Sequence, residues 1–365
     1  MTLGLQFGLS AMAKRQPVDR PFVNKLPKIE LHAHLSGSIS RKCLHDIWLA
    51  KKEAQPELDL PDPLVAIPPS KVDYDLKTFF PLFNTYIYRL VSDIPSIHES
   101  TLRVLADFEE DGVVYLELRT TPREIPEYTI SRRRYVETVL SAIEEYERNK
   151  DNRMRTRLIL SIDRRNSLAQ AKETVDIALE FQSRGVVGID LCGDPSVTSI
   201  AHLSAVFYKA SIAGLNIVLH FAEAEVSASD EELRMLLSWN PSRLGHVIHV
   251  KDEFKRMITE KKIGLELCLS CNVHAKMITG TFGDHHFGEW KDCGHKRIAL
   301  CTDDVGVFCS TLSNEYYLAA EHFGMSREEL ITLAENVVDM IFATESVKDE
   351  IRALFKQFRL DEARS

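Results

Sequence analysis

Short runs of apolar and β-branched residues recur along the chain, and each run is nearly continuous instead of alternating with polar positions. Eight such runs are separated by longer segments that have a helical period. A strand that is buried on both faces has a continuous apolar sequence, whereas a half-exposed strand alternates. The pattern therefore predicts parallel strands over residues 27–35, 112–120, 155–163, 185–194, 216–223, 243–250, 263–270 and 297–305.

The segments between these runs have the period and the end signals of amphipathic helices. Over residues 131–149, the apolar side chains fall on one side of a helix and the charged ones on the other. A second helix over 167–183 ends at Arg184 and Gly185, a cation followed by glycine. Alternating strands and helices in 365 residues predict an α/β fold, a (β/α)₈ TIM-type barrel. A doubly wound open sheet is the alternative, although no Gly-x-Gly-x-x-Gly turn follows any run.

The gap between the first two strands is the longest in the chain, and it is first proline-rich and then aromatic. Residues 41–108 are predicted to form a helical insertion that covers the barrel mouth as a lid or pocket wall. Most aromatic side chains of its segment 79–88 are expected to pack against the outer helices. A flexible tail is expected over residues 1–20, and a single barrel domain over 21–365, with structural helices from residue 326 onward.

Composition and charge limit the possible partners and location. The net charge of -9 offers no basic face to a nucleic-acid polymer. No apolar stretch approaches the roughly 20 residues that span a bilayer, so no membrane partner is expected. The seven scattered cysteines suit a reducing compartment, and the lone Cys-x-x-Cys from Cys268 to Cys271 is predicted to be structural. We expect a cytoplasmic monomer, although Lys14 and Arg15 in an acid-free N terminus leave a targeting segment open.

Histidines and an acidic residue stand at the ends of several predicted strands. The first run ends with His32 and His34, which share one face because side chains alternate along a strand. The fifth run carries His220, the sixth carries His246, and the eighth carries Asp303 and Asp304 near its end. The C-terminal ends of barrel strands meet at one rim, and such N and O ligands suit Zn²⁺ with one position left for water. We therefore predict a zinc site at this rim, formed by histidines and an aspartate from these strand ends.

Two further residues at this rim could transfer protons. Glu223 lies three residues after His220, and a carboxyl group in an enclosed pocket can have the raised pKa of a general acid. His246 could orient an attacking water or take its proton. A bound metal lowers the pKa of water to about 7, so we predict hydrolytic attack on an electrophilic carbon with protonation by Glu223. Asp303 and Asp304 could instead be a helix N-cap pair, but a cap explains only one carboxylate.

The chain resembles the adenosine deaminase family over nearly its whole length. The matching segments, in order, are His32-Ala33-His34-Leu35-Ser36-Gly37, His220-Phe221-Ala222-Glu223, Gly245-His246 and Thr302-Asp303-Asp304. The resemblance implies one Zn²⁺ per chain on His32, His34, His220 and Asp303. It further implies Glu223 as the proton donor to purine N1 and His246 as an aid to the water. It also implies that Asp304 meets the purine ring, that the backbone N–H of Gly193 faces N3, and that His34 and Glu223 contact substrate.

One departure from the family pattern concerns the sugar end of the site. Ser36 stands where adenosine deaminases have an aspartate that accepts the ribose 5′-hydroxyl. A carboxylate there would repel a 5′-phosphate, whereas a serine hydroxyl can donate to it. Thr120, Thr121, Pro122 and Arg123 follow strand two, and a guanidinium is well shaped to clamp a phosphate. A surface ion pair is the ordinary alternative for Arg123.

These details resemble the branch of the family that converts N6-methyl-AMP to IMP and methylamine. The shared motifs are Leu118 to Arg123, Asp163 to Arg165 and Thr302 to Phe308. By this resemblance, residues 120–123 and Asp163 join the substrate site, and Tyr88 is the candidate contact from the insertion. His285 and His286 also resemble the branch, but the sequence assigns them no role.

Two other functions remain open at this point. The first is an adenosine deaminase that converts adenosine to inosine, and Ser36 and Arg123 argue against it. The second is a barrel that only binds a nucleoside, and the presence of Glu223 with a full set of ligands argues against it. The expected partner is a small purine nucleotide, and the sequence does not set the preference for the N6 substituent.

Overall fold

The computed structural model describes residues 16–68 and 71–364 of the chain. Eight parallel strands form one sheet in the order β1 to β8, each pairing with the next. The strands are β1 (Lys28–His34), β2 (Val113–Thr120), β3 (Arg155–Asp163), β4 (Val186–Cys192), β5 (Asn216–Phe221), β6 (Arg243–His246), β7 (Gly264–Leu267) and β8 (Ile298–Leu300). The predicted (β/α)₈ barrel is confirmed. Contacts between β1 and β8 exclude the open sheet.

Helices surround the barrel and extend beyond it. In the described ranges the α-helices are α1 (Arg20–Lys25), α2 (Leu35–Ser38), α3 (Arg41–Ala54), α4 (Pro63–Ala66), α5 (Leu76–Leu82), α6 (Tyr88–Leu90), α7 (Ile94–Glu110), α8 (Arg132–Arg148), α9 (Leu168–Glu180), α10 (Ser204–Ile212), α11 (Asp230–Ser238), α12 (Asp252–Glu260), α13 (Leu269–His274), α14 (Phe287–Asp292), α15 (Val305–Phe308), α16 (Leu312–Phe323), α17 (Arg327–Asn336) and α18 (Glu345–Glu362). Short 3₁₀ segments are Pro126–Tyr128, Gln182–Arg184, Ala201–Leu203, Glu225–Ser227, Phe282–Asp284 and Val337–Met340, and Phe83–Ile87 is a π-helix. No helix among these residues is long and apolar enough to cross a membrane.

The barrel closes where β1 meets β8. The backbone N–H of His34 donates to the carbonyl of Asp303 at 2.9 Å, and the N–H of Asp303 donates to the carbonyl of His32 at 2.7 Å. These two bonds join the start and the end of the barrel directly at the rim. The seam therefore passes through three of the predicted metal ligands.

The predicted helix ends are reproduced, and each has a local cause. Ser131 caps α8 by accepting from the N–H of Arg134, and Ser167 begins α9 with a capping box. Gly185 follows α9 and its 3₁₀ extension with φ +106°, a conformation that glycine adopts without steric cost. The apolar face of α8 is buried against the barrel, as its period predicts.

Strands six to eight are shorter than predicted, because the backbone turns away from the extended conformation at the rim. The predicted strand 243–250 ends at His246, which has φ +64°, and Val247 follows at +57°. Asp303 has φ +62° and lies past the end of β8. Positive φ is uncommon for residues other than glycine, and such strain is concentrated at functional sites.

The insertion after β1 consists of helices α3 to α7, as predicted for residues 41–108. The π-helix Phe83–Ile87 directly follows α5, which contains Pro81. Proline removes a backbone donor from the helical ladder, and a π turn accommodates that break. The expected tail over residues 1–20 lies mostly outside the described residues; Asp19 caps α1. The division into a tail and one barrel domain stays a prediction.

Candidate active site

Five side chains with metal-ligating atoms converge at the C-terminal rim of the barrel. Among the described residues, one ligand atom each from His32, His220, His246 and Asp303 lie within 4.8 Å of one another. The Nε2 atom of His34 lies 3.1 Å from Nε2 of His220 and 3.4 Å from Oδ1 of Asp303. The predicted set includes His34 in place of His246, and these distances alone allow either choice.

The distances fit a metal ion. Nε2 of His32 lies 3.5 Å from Oδ1 of Asp303, close to the other two separations. Ligand atoms about 2.0–2.2 Å from one tetrahedral Zn²⁺ are about 3.3–3.6 Å apart. The other oxygen of Asp303 accepts from the thiol of Cys271 at 2.8 Å, and Oδ1 is the oxygen that faces His32 and His34.

Buried carboxylates orient two of these histidines. Nδ1 of His32 lies 2.8 Å from Oε2 of Glu266, and Nδ1 of His220 lies 3.1 Å from Oδ1 of Asp190. A carboxylate accepts, so each ring donates through Nδ1–H and keeps the lone pair of Nε2 for the metal. The contacts therefore prepare His32 and His220 as ligands.

Glu266 belongs to a charged network in the barrel interior. It accepts from Nη2 of Arg119 at 2.7 Å and, through its other oxygen, from Nε of Arg243 at 2.6 Å. Arg243 also donates to Glu117 at 2.5 Å, and all four side chains are fully buried. Ions in such a place need their partners, because an unpaired buried charge is costly. The network therefore ties the stability of the barrel to the position of His32.

Glu223 stands beside this cluster as a buried acid. Its Oε1 lies 3.9 Å from Nε2 of His246, and the residue is 5% exposed. Burial, and then the charge of Asp303, raise the pKa of Glu223 to about 8. Burial and the charges of Asp303 and Glu223 also raise the pKa of Asp304 well above its ordinary value. The rim thus combines a metal-competent cluster with two buried carboxyl groups whose pKa values are raised.

A cavity of about 710 Å³, counting its open mouth, lies directly above the cluster. The predicted site residues that line it are His34, Ser36, Tyr88, Thr120, Thr121, Asp163, Gly193, His220, Glu223, Asp303 and Asp304. His32 and His246 are fully buried beneath its floor.

The match to a protein family covers nearly the whole barrel. The family model described as adenosine deaminase matches residues 27–357. The chain belongs to the adenosine deaminase family. The resemblance inferred from the rim residues is therefore confirmed, and the chain is a hydrolytic deaminase of a metal-dependent family.

Relatives within the adenosine deaminase family are similar over almost their full lengths. A Danio rerio protein named N6-methyl-AMP deaminase is 36% identical over 347 residues, which are 93% of this chain and 97% of the relative. The Homo sapiens protein of the same name is 35% identical over 348 residues, 93% and 95% of the two chains. A solved structure of Arabidopsis ADAL complexed with IMP is 35% identical, with a TM-score of 0.84, and covers 92% of this chain and 98% of that one.

Close packing at the rim requires two of the glycines in the family-like motifs. A Cβ at Gly37 would lie 1.4 Å from Oδ1 of Asp304. Gly193 has φ +97°, and a Cβ there would lie 2.7 Å from the carboxylate of Asp163. Any side chain at either position would displace a carboxylate that lines the cavity.

Arg123 does not point into the cavity. Its Nη2 donates to the carbonyl of Val91 at 2.6 Å, and its guanidinium lies 4.4 Å from the ring centre of Tyr88. Arg123 and Pro122 line an adjacent cleft that shares Asn84 and Tyr88 with the cavity. Backbone carbonyl groups at the end of α6 hold the guanidinium of Arg123. Its contact with a phosphate stays a prediction, and these hydrogen bonds do not favour it.

Arg165 is a cavity residue that the sequence analysis did not select. It donates to Asp163 at 2.8 Å through Nε and 2.6 Å through Nη2, and its side chain is 49% exposed. The neighbouring Arg164 turns away and pairs with Glu232 at 2.8 Å. The Asp-Arg-Arg sequence at the end of β3 was the available signal, but it did not distinguish the two arginines.

Aromatic side chains of the insertion form the outer wall of the cavity. Phe79, Phe80 and Phe83 line it together with Tyr88 and Asn84. The expectation that most of these aromatics pack against the outer helices is therefore wrong for this group. The i, i+4 spacing of Phe79 and Phe83 was a usable signal, because it places both on one face of the segment.

Proposed function

We propose that this chain hydrolyses N6-methyl-AMP to IMP and methylamine, using one Zn²⁺ held by His32, His34, His220 and Asp303. The observation that carries the proposal is a single cavity that joins the metal-competent cluster and the buried acid Glu223 to hydroxyl and guanidinium groups. The names of the Danio rerio and Homo sapiens relatives, and the IMP complex of the Arabidopsis structure, support the same substrate class.

The fit of the site to zinc rests on the donor set. Imidazole nitrogens with one carboxylate oxygen suit Zn²⁺, and the lone pairs on Nε2 of His32 and His220 are directed to one point. When bound, Zn²⁺ supplies a Lewis acid that makes hydroxide available near neutral pH. The carboxylates of Glu266 and Asp190 keep their histidines in the ligating tautomer.

In the proposed reaction, the oxygen of water bonds to purine C6 and the bond from C6 to the methylamino nitrogen breaks. Glu223 gives a proton to N1 as the oxygen attacks and recovers one of the two protons of the water. The other water proton leaves with the amine, so the products are the lactam of IMP and methylamine. Asp304 lines the cavity, and its carboxyl group would donate a hydrogen bond to the ring when it carries a proton, the form that burial and the neighbouring charges of Asp303 and Glu223 favour.

Three residues that line the cavity suit a 5′-phosphate. Ser36 and Thr121 offer hydroxyl groups, and Arg165 offers a guanidinium. Arg165 uses Nε and Nη2 on Asp163, so Nη1 remains for a further acceptor. Because this pair also neutralises Asp163, the phosphate would not meet an uncompensated carboxylate. We therefore propose Arg165, with Ser36 and Thr121, as the phosphate contacts.

A substrate panel tests the proposal. N6-methyl-AMP, AMP and adenosine are compared by kcat/KM with enzyme of measured metal content. We expect N6-methyl-AMP to be turned over best and adenosine at least 100-fold more slowly, about the loss of one well-formed charged contact. Comparable turnover of adenosine and N6-methyl-AMP would contradict the nucleotide assignment and favour an adenosine deaminase.

Ser36→Asp is expected to lower kcat/KM for N6-methyl-AMP by about 10- to 100-fold, because a carboxylate would repel the phosphate. Turnover of adenosine is expected to fall much less. Ser36→Asn is the matched control, since asparagine has the same size without the charge, and it should retain most activity. Equal losses in the two variants, or equal losses on the two substrates, would show that charge at residue 36 does not select the substrate.

The rate is expected to fall as the pH rises through about 8. The proton-bearing form of Glu223 is the active one, and its pKa of about 8 lies above the ordinary value, so the proton is present at pH 7 and lost on the alkaline side. The measurement is kcat/KM for N6-methyl-AMP between pH 6 and 10, and we expect it to fall about tenfold for each pH unit above the pKa of Glu223. A rate that increases steadily through this range would rule out Glu223 as the acid.

For location and oligomeric state, we propose a cytoplasmic, monomeric enzyme. All seven cysteines are free, including the buried Cys268 and Cys271, and free thiols support a reducing compartment. The proposed partners are small purine nucleotides, and neither a nucleic-acid polymer nor a membrane is part of the proposal.

A further inference from the structure

The adjacent histidines His285 and His286 both connect to His246, one to its ring and one to its backbone. Nε2 of His286 donates to the backbone carbonyl of His246 at 2.5 Å, where the chain has φ +64°. His285 reaches the ring of His246 through the side chain of Asn272, which contacts both. The pair without an assigned role therefore forms the support of one active-site histidine.

A backbone amide determines which groups donate in the hydrogen bonds from His285 to His246. The N–H of Phe287 donates to Nδ1 of His285 at 3.0 Å. A backbone amide can only donate, so Nδ1 of His285 carries a lone pair and the ring proton is on Nε2. That Nε2 lies 3.0 Å from Oδ1 of Asn272, and it donates to this oxygen.

The same logic carries through Asn272 to His246. Because the amide oxygen accepts from His285, the amide nitrogen faces Nδ1 of His246, at 3.0 Å, and donates to it. Nδ1 of His246 therefore carries a lone pair, and the proton of the neutral ring is on Nε2. Asn272 and His246 are 0% exposed and His285 is 2% exposed, so solvent does not offer alternative partners.

The tautomer of His246 is opposite to that of the predicted ligands His32 and His220. His32 and His220 face carboxylates through Nδ1 and present a lone pair on Nε2, whereas His246 faces an amide donor and presents an N–H. An N–H cannot ligate a metal. Nε2 of His246 lies 3.9 Å from carboxylate oxygens of both Glu223 and Asp303 and has no hydrogen-bond partner among the described residues.

We propose that Asn272 and His285 are positioning residues that fix His246 as a neutral imidazole with its proton on Nε2. In the reaction, which rests on the proposed function above, His246 then donates a hydrogen bond to the oxygen that attacks C6 and does not take its proton. Glu223 alone transfers the proton from water to the purine. Of the two roles open to His246 from the sequence, this one remains.

Asn272→Asp is the sharpest test, because it is almost isosteric and reverses the direction of one bond. An ionised carboxylate only accepts hydrogen bonds. It would accept from Nε2–H of His285 as the amide oxygen does, but its other oxygen could only accept from His246, which would require the proton of His246 on Nδ1. A comparable wrong-tautomer substitution in a serine protease lowers kcat by about 10⁴-fold. We expect kcat for N6-methyl-AMP to fall by about 10²- to 10⁴-fold, with KM changed less than about threefold and metal content unchanged.

A second pair of variants decides the matter if the buried carboxylate prevents folding. His285→Gln keeps an N–H donor for Asn272 and is expected to retain kcat within about tenfold. His285→Leu removes the donor, leaves Asn272 able to rotate, and is expected to lose more than that. Equal kcat in the glutamine and leucine variants would overturn the proposal, since a structural role alone predicts no rescue by the donor.

The tautomer itself is read by NMR with ¹⁵N-labelled histidine, without any substrate. The signals of His246 are those lost in His246→Asn, and we expect Nε2 to be protonated and Nδ1 unprotonated in the metal-loaded chain. An unprotonated Nε2 would overturn the proposal even if N6-methyl-AMP is the substrate. A protonated Nε2 together with no turnover of N6-methyl-AMP would instead refute the proposed function, and the positioning of His246 by Asn272 and His285 would still stand.

Discussion

Replacing Glu223 with glutamine is expected to lower kcat by about 10²- to 10⁴-fold, the usual contribution of a general acid. Glutamine has the same shape and can occupy the same buried position, but its amide has no proton to give to purine N1. The pKa of about 8 means that the native carboxyl carries that proton at neutral pH. The measurement is steady-state turnover of N6-methyl-AMP together with the metal content of the variant.

The matched control is Glu225→Gln, two residues further on and exposed to solvent. It makes the same chemical change outside the cavity and should leave kcat unchanged. Metal content at the native level in both variants separates loss of the acid from loss of the metal. Full turnover by Glu223→Gln would contradict the mechanism, and no turnover by the native chain would favour the barrel that only binds a nucleoside.

Glu266→Gln is expected to lower the free energy of unfolding by about 3–5 kcal/mol, the cost of removing one member of a fully buried ion pair. Arg119 and Arg243 would each lose a charged partner, at 2.7 and 2.6 Å respectively. The substitution also removes the carboxylate that holds Nδ1–H of His32, and loss of such a contact weakens metal binding by about 10- to 100-fold. Denaturant unfolding and a metal competition assay measure the two effects.

Glu180→Gln is the control for Glu266→Gln. Glu180 pairs with Arg133 at 2.5 Å, a distance similar to those around Glu266, but its side chain is 46% exposed. Exposed pairs contribute about 0–1 kcal/mol, so this variant should unfold almost like the native chain. If the two variants lose equal stability, burial is not what makes the network around Glu266 important.

The barrel was predictable because strands that are buried on both faces have continuous apolar sequences. Continuous apolar runs identified all eight strands, and the bounds of β3 agree at both ends. The runs overestimated β6 to β8, because Val247 and Ile248 remain apolar after the backbone has left the extended conformation. Hydrophobicity reports burial, whereas the end of a strand is set by φ and ψ, and the strained His246 and Asp303 gave no sign of this in the sequence.

The convergence of the histidines and Asp303 at the rim was predictable for a topological reason, and the position of the proposed phosphate contacts was not. Residues at the ends of parallel strands must meet at one rim, so His32, His220 and Asp303 could be placed together from their positions alone. The direction of a side chain beyond a strand end depends on the loop that carries it. Arg123 therefore turned to backbone carbonyls and Arg165 to the cavity, although both follow strands in similar motifs.

The support of His246 could not be read from the sequence at all. Asn272 and His285 come from separate segments after β7, and their meaning lies in which atom donates to which. Sequence gives the residue types, but the direction of a hydrogen bond emerges only when a backbone amide such as that of Phe287 is placed against one of them.

The closure of the barrel at the seam has a consequence for the order of folding. The proposed metal ligands His32 and His34 lie on the first strand, while Asp303 follows the last, and backbone hydrogen bonds join them directly. Contacts between such distant parts of a chain form late, because closing a long loop is entropically expensive. A nascent chain therefore cannot assemble the proposed four-ligand site until β8 and Asp303 have been synthesised and docked, and we expect metal binding to follow the completion of the barrel.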